Sequence, residues 1–242
     1  MSNKNSKLTI LEHLTELRKR LVKIAIVNLI ATLICYQFIH IIMELILNLN
    51  TGMNLVYISP SELFLVYVKI SIICGIVLSS PFTLLQIWLF VSTGLYKKEK
   101  IYIILSSIVG IIFFAVGVIF CYIVVLPTTL NFFINISISD IEPMISISSF
   151  VSFISTMLVS FGAVFEIPIV VFLLSIIGLL KPQMLIKKQS LIIVIIFVAA
   201  AFITPPDVIS LTLLAIPMVI LFELSIGICW AVNKVKSNKK HN

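Results

Sequence analysis

Long runs of apolar residues alternate with short polar segments along almost the whole chain. A bilayer hydrocarbon core of about 30 Å takes roughly 20 helical residues to cross, and six runs approach or exceed that length. The predicted spans are residues 21–47, 70–92, 101–126, 150–180, 190–204 and 208–232. The pattern therefore predicts an all-α polytopic membrane protein with a single integral membrane domain over residues 1–242.

The fifth run is unusually short. Only 14 residues separate Gln189 from Thr204, and Thr204 opens the sequence Thr204-Pro205-Pro206-Asp207. A run of that length gives about 21 Å of helix, and proline cannot continue the hydrogen-bond ladder. We therefore expect a short fifth span that thins the bilayer or buries its ends in protein. The alternative is that Val208 and its neighbours complete the crossing as a broken helix.

Residues 8–20, before the first span, have the pattern of an amphipathic helix. Ile10, Leu14 and Leu17 recur at helical spacing. Glu16 and Arg20 are four residues apart, which favours an ion pair on the helix surface. A helix that simply lies at the interface and anchors the first span would show the same pattern.

The composition supports a membrane protein. Hydrophobic residues make up 60% of the chain and charged residues 11%, whereas a soluble domain carries roughly 25% charged residues. Lipid must therefore be the main solvent. The four cysteines lie in apolar runs without CxxC spacing, so we expect no metal site, disulfide framework or cofactor.

The basic residues indicate the orientation. Sixteen of the 17 Lys and Arg residues fall in the two tails and in the second and fourth loops, and only Lys69 falls on the other side. The side rich in Lys and Arg is the cytoplasmic one, so both termini are predicted to be cytoplasmic. Because the net charge of +7 is spread over these loops, it does not indicate nucleic-acid binding.

Glu166 is the clearest candidate for function within a span. Inserting an ionisable side chain at that depth of the membrane costs a few kcal/mol, so such a residue is first considered as functional. It could also fasten helices together, or act as a proton or ion site in a secondary transporter. Pro81, Pro168 and Pro217 lie within spans two, four and six and favour bent helices around a concave surface.

The second loop places one acid, Glu99, inside a basic cluster with Lys97, Lys98 and Lys100. Glu99 could be a solvated acid at a helix N-terminus. It could also act with Glu16, which is predicted to lie on the same face of the membrane. Two such carboxylates would match the fork of a guanidinium group.

Collinear motifs in this chain resemble those of the TatC family, the receptor subunit of the twin-arginine protein translocase. They keep their order from residue 13 to residue 223. They are His13-Leu14-Thr15-Glu16-Leu17-Arg18-Lys19-Arg20, Ser59-Pro60-Ser61-Glu62, Pro81 to Gln86 with Trp88 and Phe90, Gly94-Leu95-Tyr96-Lys97-Lys98-Glu99, Phe165-Glu166-Ile167-Pro168, and Thr204-Pro205-Pro206-Asp207.

The resemblance implies a receptor that binds the paired arginines of signal peptides on folded cargo. The implied signal-peptide site is Glu16 and Glu99, with Arg18, Phe90 and Leu95 beside them. Glu166 would be the family's intramembrane acid, inside a concave, glove-shaped bundle with short fifth and sixth spans. The implied docking side for TatA- and TatB-type single-span subunits is the outer turn with Thr204, Pro205, Asp207 and Thr212.

The resemblance also implies self-association in a receptor complex, export driven by the proton-motive force, and no enzymatic activity. The expected location is the bacterial cytoplasmic (inner) membrane, or alternatively a thylakoid or mitochondrial inner membrane. Leu211 departs from the pattern, because many relatives carry a polar side chain there. This departure lies on the implied docking side for the single-span subunits.

Overall fold

The structure, a computed structural model, describes residues 10–49, 54–92, 100–135, 144–204 and 208–241. Within these ranges five helical segments are long and apolar enough to cross a membrane, and a sixth apolar helix is shorter. The five are His13–Gln37, Pro60–Phe90, Ile103–Asn135, Ile147–Ile177 and Ser210–Lys234, and the shorter one is Gln189–Ile203. The prediction of an all-α polytopic fold is confirmed.

The described helices are numbered in chain order. They are α1 (Ile10–Gln37), α2 (Ile39–Leu47), α3 (Pro60–Ser92), α4 (Lys100–Phe120), α5 (Leu126–Asn135), α6 (Ile147–Val164), α7 (Ile167–Ile177), α8 (Pro182–Lys187), α9 (Gln189–Ile203) and α10 (Val208–His241).

Helix α1 joins the amphipathic segment to the first span without a break. Residues 10–37 contain neither glycine nor proline, so nothing in the sequence interrupts the hydrogen-bond ladder. The helix ends at Gln37, and α2 begins after Phe38, whose backbone N–H donates to the Cys35 carbonyl at 3.1 Å. The predicted span 21–47 therefore corresponds to two helices.

Helices α1 and α3 pack closely because α3 carries Gly75 at their contact. A β-carbon at Gly75 would lie 2.8 Å from both the backbone nitrogen and the Cα of Thr32. Small residues allow membrane helices to approach backbone to backbone in this way. Nearby, the Ser79 hydroxyl donates to the Asn28 side-chain oxygen at 2.7 Å. This contact fixes the register of α1 against α3.

The third span contains a wide turn where proline would otherwise clash. Residues Cys121–Val125 form a π-helical turn, and the N–H of Leu126 donates to the carbonyl of Cys121. Pro127 follows at once in α5 and cannot donate to the ladder. Widening the turn just before Pro127 accommodates the missing hydrogen bond while the helix continues.

The fourth span is broken in the middle. Helix α6 ends at Val164 and α7 begins at Ile167, with Pro168 in its first turn. Phe165 and Glu166 form the connection, and Glu166 is the residue that precedes α7. Proline is tolerated at this position because the first N–H groups of a helix have no partner within the helix.

A two-stranded parallel sheet joins the loops before α3 and α6. Strand β1 (Asn54–Val56) pairs with β2 (Met144–Ser146), and Leu55 lies opposite Ile145. Ser146 ends β2 and caps α6, because its hydroxyl accepts the Ser149 N–H at 3.4 Å.

The last two helices differ in length. Helix α9 has 15 residues, which agrees with the expected short fifth span. Helix α10 has 34 residues, and its apolar segment that is long enough to cross a membrane is Ser210–Lys234. The short sixth span stays a prediction. Helix α10 continues through the apolar run into the basic tail, and Lys234 lies over the exposed ring of Trp230 at 5.0 Å from the centroid. Aromatic and basic residues of this kind are typical of the membrane interface.

A concave recess lies between α1, α3, α4 and α6, and the cavity holds about 520 Å³. Its lining includes the polar side chains of Asn28, Thr32, Ser80 and Thr83 among apolar residues. Glu166 is not one of the side chains that line it.

Candidate functional site

The start of α1 and the end of α3 meet at one end of the bundle. The two helices run in opposite directions there, so His13 lies beside Phe90 and Arg20 lies beside Gln86. The rings of His13 and Phe90 are stacked, with centroids 4.4 Å apart and planes 25° from parallel. The Arg20 Nη1 donates to the Gln86 side-chain oxygen at 3.0 Å. These contacts bring the first motif of the chain against the segment that leads into the second loop.

Glu16 and Arg20 form the predicted ion pair, which is confirmed. The Arg20 Nη2 lies 2.5 Å from the Glu16 Oε1, and the Arg20 Nε donates to the same oxygen at 3.1 Å. The side chains of Arg20 and Glu16 are 19% and 26% exposed. A pair this exposed contributes little to stability. Its consequence is geometric, since it fixes the direction of the Glu16 carboxylate.

The other residues of the predicted signal-peptide site are placed unevenly. Arg18 is exposed on α1, two residues beyond Glu16, and Phe90 is half-buried near the end of α3. Leu95 and Glu99 lie outside the described residues, between α3 and α4. The structure therefore brings Glu16, Arg18 and Phe90 to one end of the bundle, and whether Glu99 joins them stays a prediction.

Sequence reasoning did not assign a role to Gln86 or His13. Both stand in the motifs that carried the resemblance, but neither has a charge or spacing that indicates its partner. The contact between Arg20 and Gln86 joins residues that are 66 positions apart, which local periodicity cannot detect.

Glu166 is buried at the break between α6 and α7, with 7% of its surface exposed. Among the described residues, neither of its carboxylate oxygens has a hydrogen-bond partner. The carboxylate lies against Gly110 of α4, where a β-carbon would be 2.9 Å from Oε2. Burying an unpaired acid in a bilayer is energetically costly, so Glu166 lowers the stability of the fold at this position.

The predicted outer turn is described only at its two ends. Thr204 directly follows α9 and is buried, and its hydroxyl donates to the Ala200 carbonyl at 3.0 Å. Thr212 is half-buried in α10, and its hydroxyl donates to the Val208 carbonyl at 2.6 Å. Both hydroxyl protons are therefore used within their own helices. Pro205 and Asp207 lie outside the described residues.

The remaining candidates for chemistry are dispersed. Across the described ranges, no three His, Cys, Asp or Glu side chains come close enough to hold a metal ion. All four cysteines are free, and Cys35, Cys121 and Cys229 are buried. Glu223 accepts a hydrogen bond from Gln189 at 2.5 Å, which fastens the start of α9 to α10.

The long apolar helices and the buried unpaired acid define the class: a polytopic α-helical membrane protein with a polar residue held inside its bundle. Comparison with known proteins then gives the family. Residues 12–217 match the family model described as TatC, Sec-independent protein translocase protein. The chain belongs to the TatC family.

Bacterial relatives match along most of their length. The chain is 38% identical to the Sec-independent protein translocase protein TatC of Desulforapulum autotrophicum over 231 residues, covering 93% of this chain and 86% of that one. It is 39% identical to the protein of the same name from Helicobacter pylori over 230 residues, covering 95% of this chain and 90% of that one.

The fold is also similar to a solved one. The crystal structure of a twin arginine translocase receptor TatC matches with a TM-score of 0.82 at 35% identity, covering 92% of this chain and 100% of that one. A second crystal structure, of the receptor in the detergent DDM, matches with a TM-score of 0.83 over 89% of this chain and 98% of that one.

Proposed function

We propose that this chain is the subunit of a twin-arginine translocase that receives the paired arginines of a signal peptide. Glu16 and Glu99 are the proposed acceptors, and Arg18, Phe90 and Leu95 are the other residues assigned to the proposed site. The single observation that carries the proposal is the exposure and hydrogen bonding of the Glu16 carboxylate. Its carboxylate is partly exposed and already accepts two hydrogen bonds from a guanidinium group, that of Arg20.

Charge and shape support this site. Guanidinium is planar and binds carboxylates through parallel N–H donors, so an exposed carboxylate held in one orientation is a suitable receptor. Phe90 adds an aromatic surface beside it, since its ring already stacks on His13. An aromatic face also attracts the cationic side chains of an incoming peptide.

Glu99 is proposed as the second acceptor because of its position in the sequence, between α3 and α4. It directly precedes Lys100, the first residue of α4, and follows α3 by a short connection. Helix α3 carries Gln86 and Phe90 at its end. A second carboxylate on this connection would allow each of two neighbouring arginines to find its own partner.

The partners of the chain follow from the family. We propose that TatA- and TatB-type single-span subunits dock at the outer turn near Thr204, Pro205, Asp207 and Thr212, and that the chain self-associates in the receptor complex. The proposed location is the bacterial cytoplasmic membrane with both termini inside, because the relatives from Desulforapulum autotrophicum and Helicobacter pylori are bacterial and the basic loops favour that orientation.

Charge reversal tests the assignment. The variant with Glu16→Lys and Glu99→Lys should insert normally but fail to export a reporter with a twin-arginine signal, in cells that lack their own receptor subunit. Glu44→Lys is the matched control, because Glu44 is an exposed acid on α2. Export at the normal rate by the double variant would overturn the proposal.

A further inference from the structure

We propose that Arg20 and Gln86 are positioning residues that hold the Glu16 carboxylate by one oxygen and thereby select arginine over lysine in the incoming peptide. This inference rests on the proposed function. It assigns to two residues of the free protein the task of presenting Glu16 in a fixed orientation.

The first step is the pattern of bonds around the Arg20 guanidinium. Its Nε and Nη2 both donate to Oε1 of Glu16, and its Nη1 donates to the side-chain oxygen of Gln86. All three guanidinium nitrogens are therefore engaged. Because the group is planar and rigid, contacts on two of its sides fix the plane of the whole group.

The second step concerns the oxygen that remains. Neither bond from Arg20 uses Oε2 of Glu16. An ionised carboxylate has about four acceptor positions over its two oxygens, so Oε2 can accept a further donor while Arg20 stays bound. An arriving guanidinium group can add to Glu16 without displacing Arg20.

The third step is the rigidity of the frame. Gln86 belongs to α3, and Arg20 and Glu16 belong to α1, so the bonded chain crosses between two helices. Those helices are locked farther along by the contact of Gly75 with Thr32 and by the bond from Ser79 to Asn28. Gln86 on α3 therefore holds the Arg20 guanidinium group in place, and Arg20 in turn holds the Glu16 carboxylate on α1.

The consequence is a preference between two cations. A guanidinium group holds its N–H donors in one plane, so it can direct two of them at Oε2 only when that oxygen points in a defined direction, whereas an ammonium group binds as a point charge from many directions. Releasing Arg20 from Gln86 should therefore weaken binding of an arginine pair and leave binding of a lysine pair almost unchanged.

The experiment compares two peptides on the purified full-length protein in detergent. One is a signal peptide with the arginine pair, and the other is the same peptide with two lysines. Gln86→Leu removes the acceptor and should weaken binding of the arginine peptide roughly tenfold, the effect of about one charge-assisted hydrogen bond. Binding of the lysine peptide and the melting temperature should stay near the wild-type values.

Matched variants separate positioning from general damage. Gln86→Glu keeps an acceptor oxygen at the same place and should retain the preference for arginine. Thr83→Val should also retain it, since the Thr83 hydroxyl, one turn earlier on α3, has no hydrogen-bond partner among the described residues. Arg20→Lys keeps the charge but loses the planar fork, so it should lose the preference as Gln86→Leu does.

Three results would overturn the inference. The first is that Gln86→Leu binds the arginine peptide more tightly than the lysine peptide by the same factor as the wild type, and the second is that Arg20→Lys does so. The third is that Gln86→Leu weakens binding of both peptides equally and also lowers the melting temperature. Glu16→Gln distinguishes this inference from the proposed function. If Glu16→Gln leaves arginine binding unchanged, the proposed receptor site itself fails. If it abolishes that binding while Gln86→Leu has no effect, only the positioning role fails.

Discussion

Glu62, in the first turn of α3, accepts a 2.6 Å hydrogen bond from the hydroxyl of Ser146, the residue that caps α6. Its other oxygen accepts the N–H of Ile58 at 2.7 Å. One carboxylate thus joins the loop before α3 to the loop before α6, at the place where β1 pairs with β2. The two loops are held together by side-chain bonds as well as by the sheet.

Removing this carboxylate should loosen both loops together. Glu62→Ala and Ser146→Ala are each expected to lower the melting temperature of the purified protein modestly, because each removes the same hydrogen bond. The double variant should lose less than the sum of the two single losses, because the bond between Glu62 and Ser146 is counted in both; Ser146→Ala also removes the cap of α6. Thermal unfolding of all three in detergent checks this, with Glu44→Ala as a control on an exposed acid. Fully additive losses would show that the two residues act independently.

The contact between α1 and α3 can be tested at Gly75. Gly75→Ala places a β-carbon 2.8 Å from the Thr32 backbone, so the helices must move apart, with an expected cost of about 1–3 kcal/mol. Gly227→Ala on α10 is the matched control. Its β-carbon would meet nothing within 4 Å, and alanine is the better helix former. Chemical or thermal unfolding should therefore rank Gly75→Ala as less stable and Gly227→Ala as equal to or better than the wild type.

Gly110 and Glu166 should be energetically coupled. Gly110→Ala brings a β-carbon to 2.9 Å from the Glu166 carboxylate, so it should destabilise the protein, by less than Gly75→Ala because a side chain rather than backbone must yield. In the Glu166→Ala background the same change should cost much less. A double-mutant cycle by thermal unfolding measures the difference. An equal cost of Gly110→Ala in both backgrounds would contradict the contact.

The aromatic stack beside the site makes a prediction about binding. Phe90→Leu removes the ring that stacks on His13, a contact worth about 0.5–1.5 kcal/mol, and should weaken binding of a twin-arginine peptide several-fold. Phe90→Tyr keeps the ring and should bind nearly as well as the wild type. Titration of labelled peptide onto the purified protein measures both, and equal affinities for the two variants would count against a role for the ring.

Several features were predictable because they are local. The ion pair of Glu16 with Arg20 follows from spacing along one helix, and the confirmed geometry agrees with it. The shortness of α9 follows from the positions of Thr204 and Pro205 in the sequence. In contrast, the length of the sixth span stays a prediction, because α10 continues from the apolar run into the basic tail and the helix is longer than its apolar segment.

The functional contacts of the site were less accessible to sequence reasoning. Glu166 was recognisable from its charge in an apolar run, but its neighbour Gly110 was not, because a glycine in a membrane helix carries no sign of what lies opposite. The same holds for Gln86, which could have faced lipid, solvent or another helix. Its role depends on the rotation of α3 about its axis.

By itself the sequence determined the class of protein, the approximate spans and the acids worth testing, because lipid demands apolar residues and makes every exception conspicuous. The tertiary structure decided which side chains touch: Gln86 with Arg20, His13 with Phe90, and Gly110 with Glu166. These contacts depend on how each helix is rotated and how closely it approaches its neighbours. That arrangement is set by the packing of all the helices together, and no local stretch of sequence encodes it.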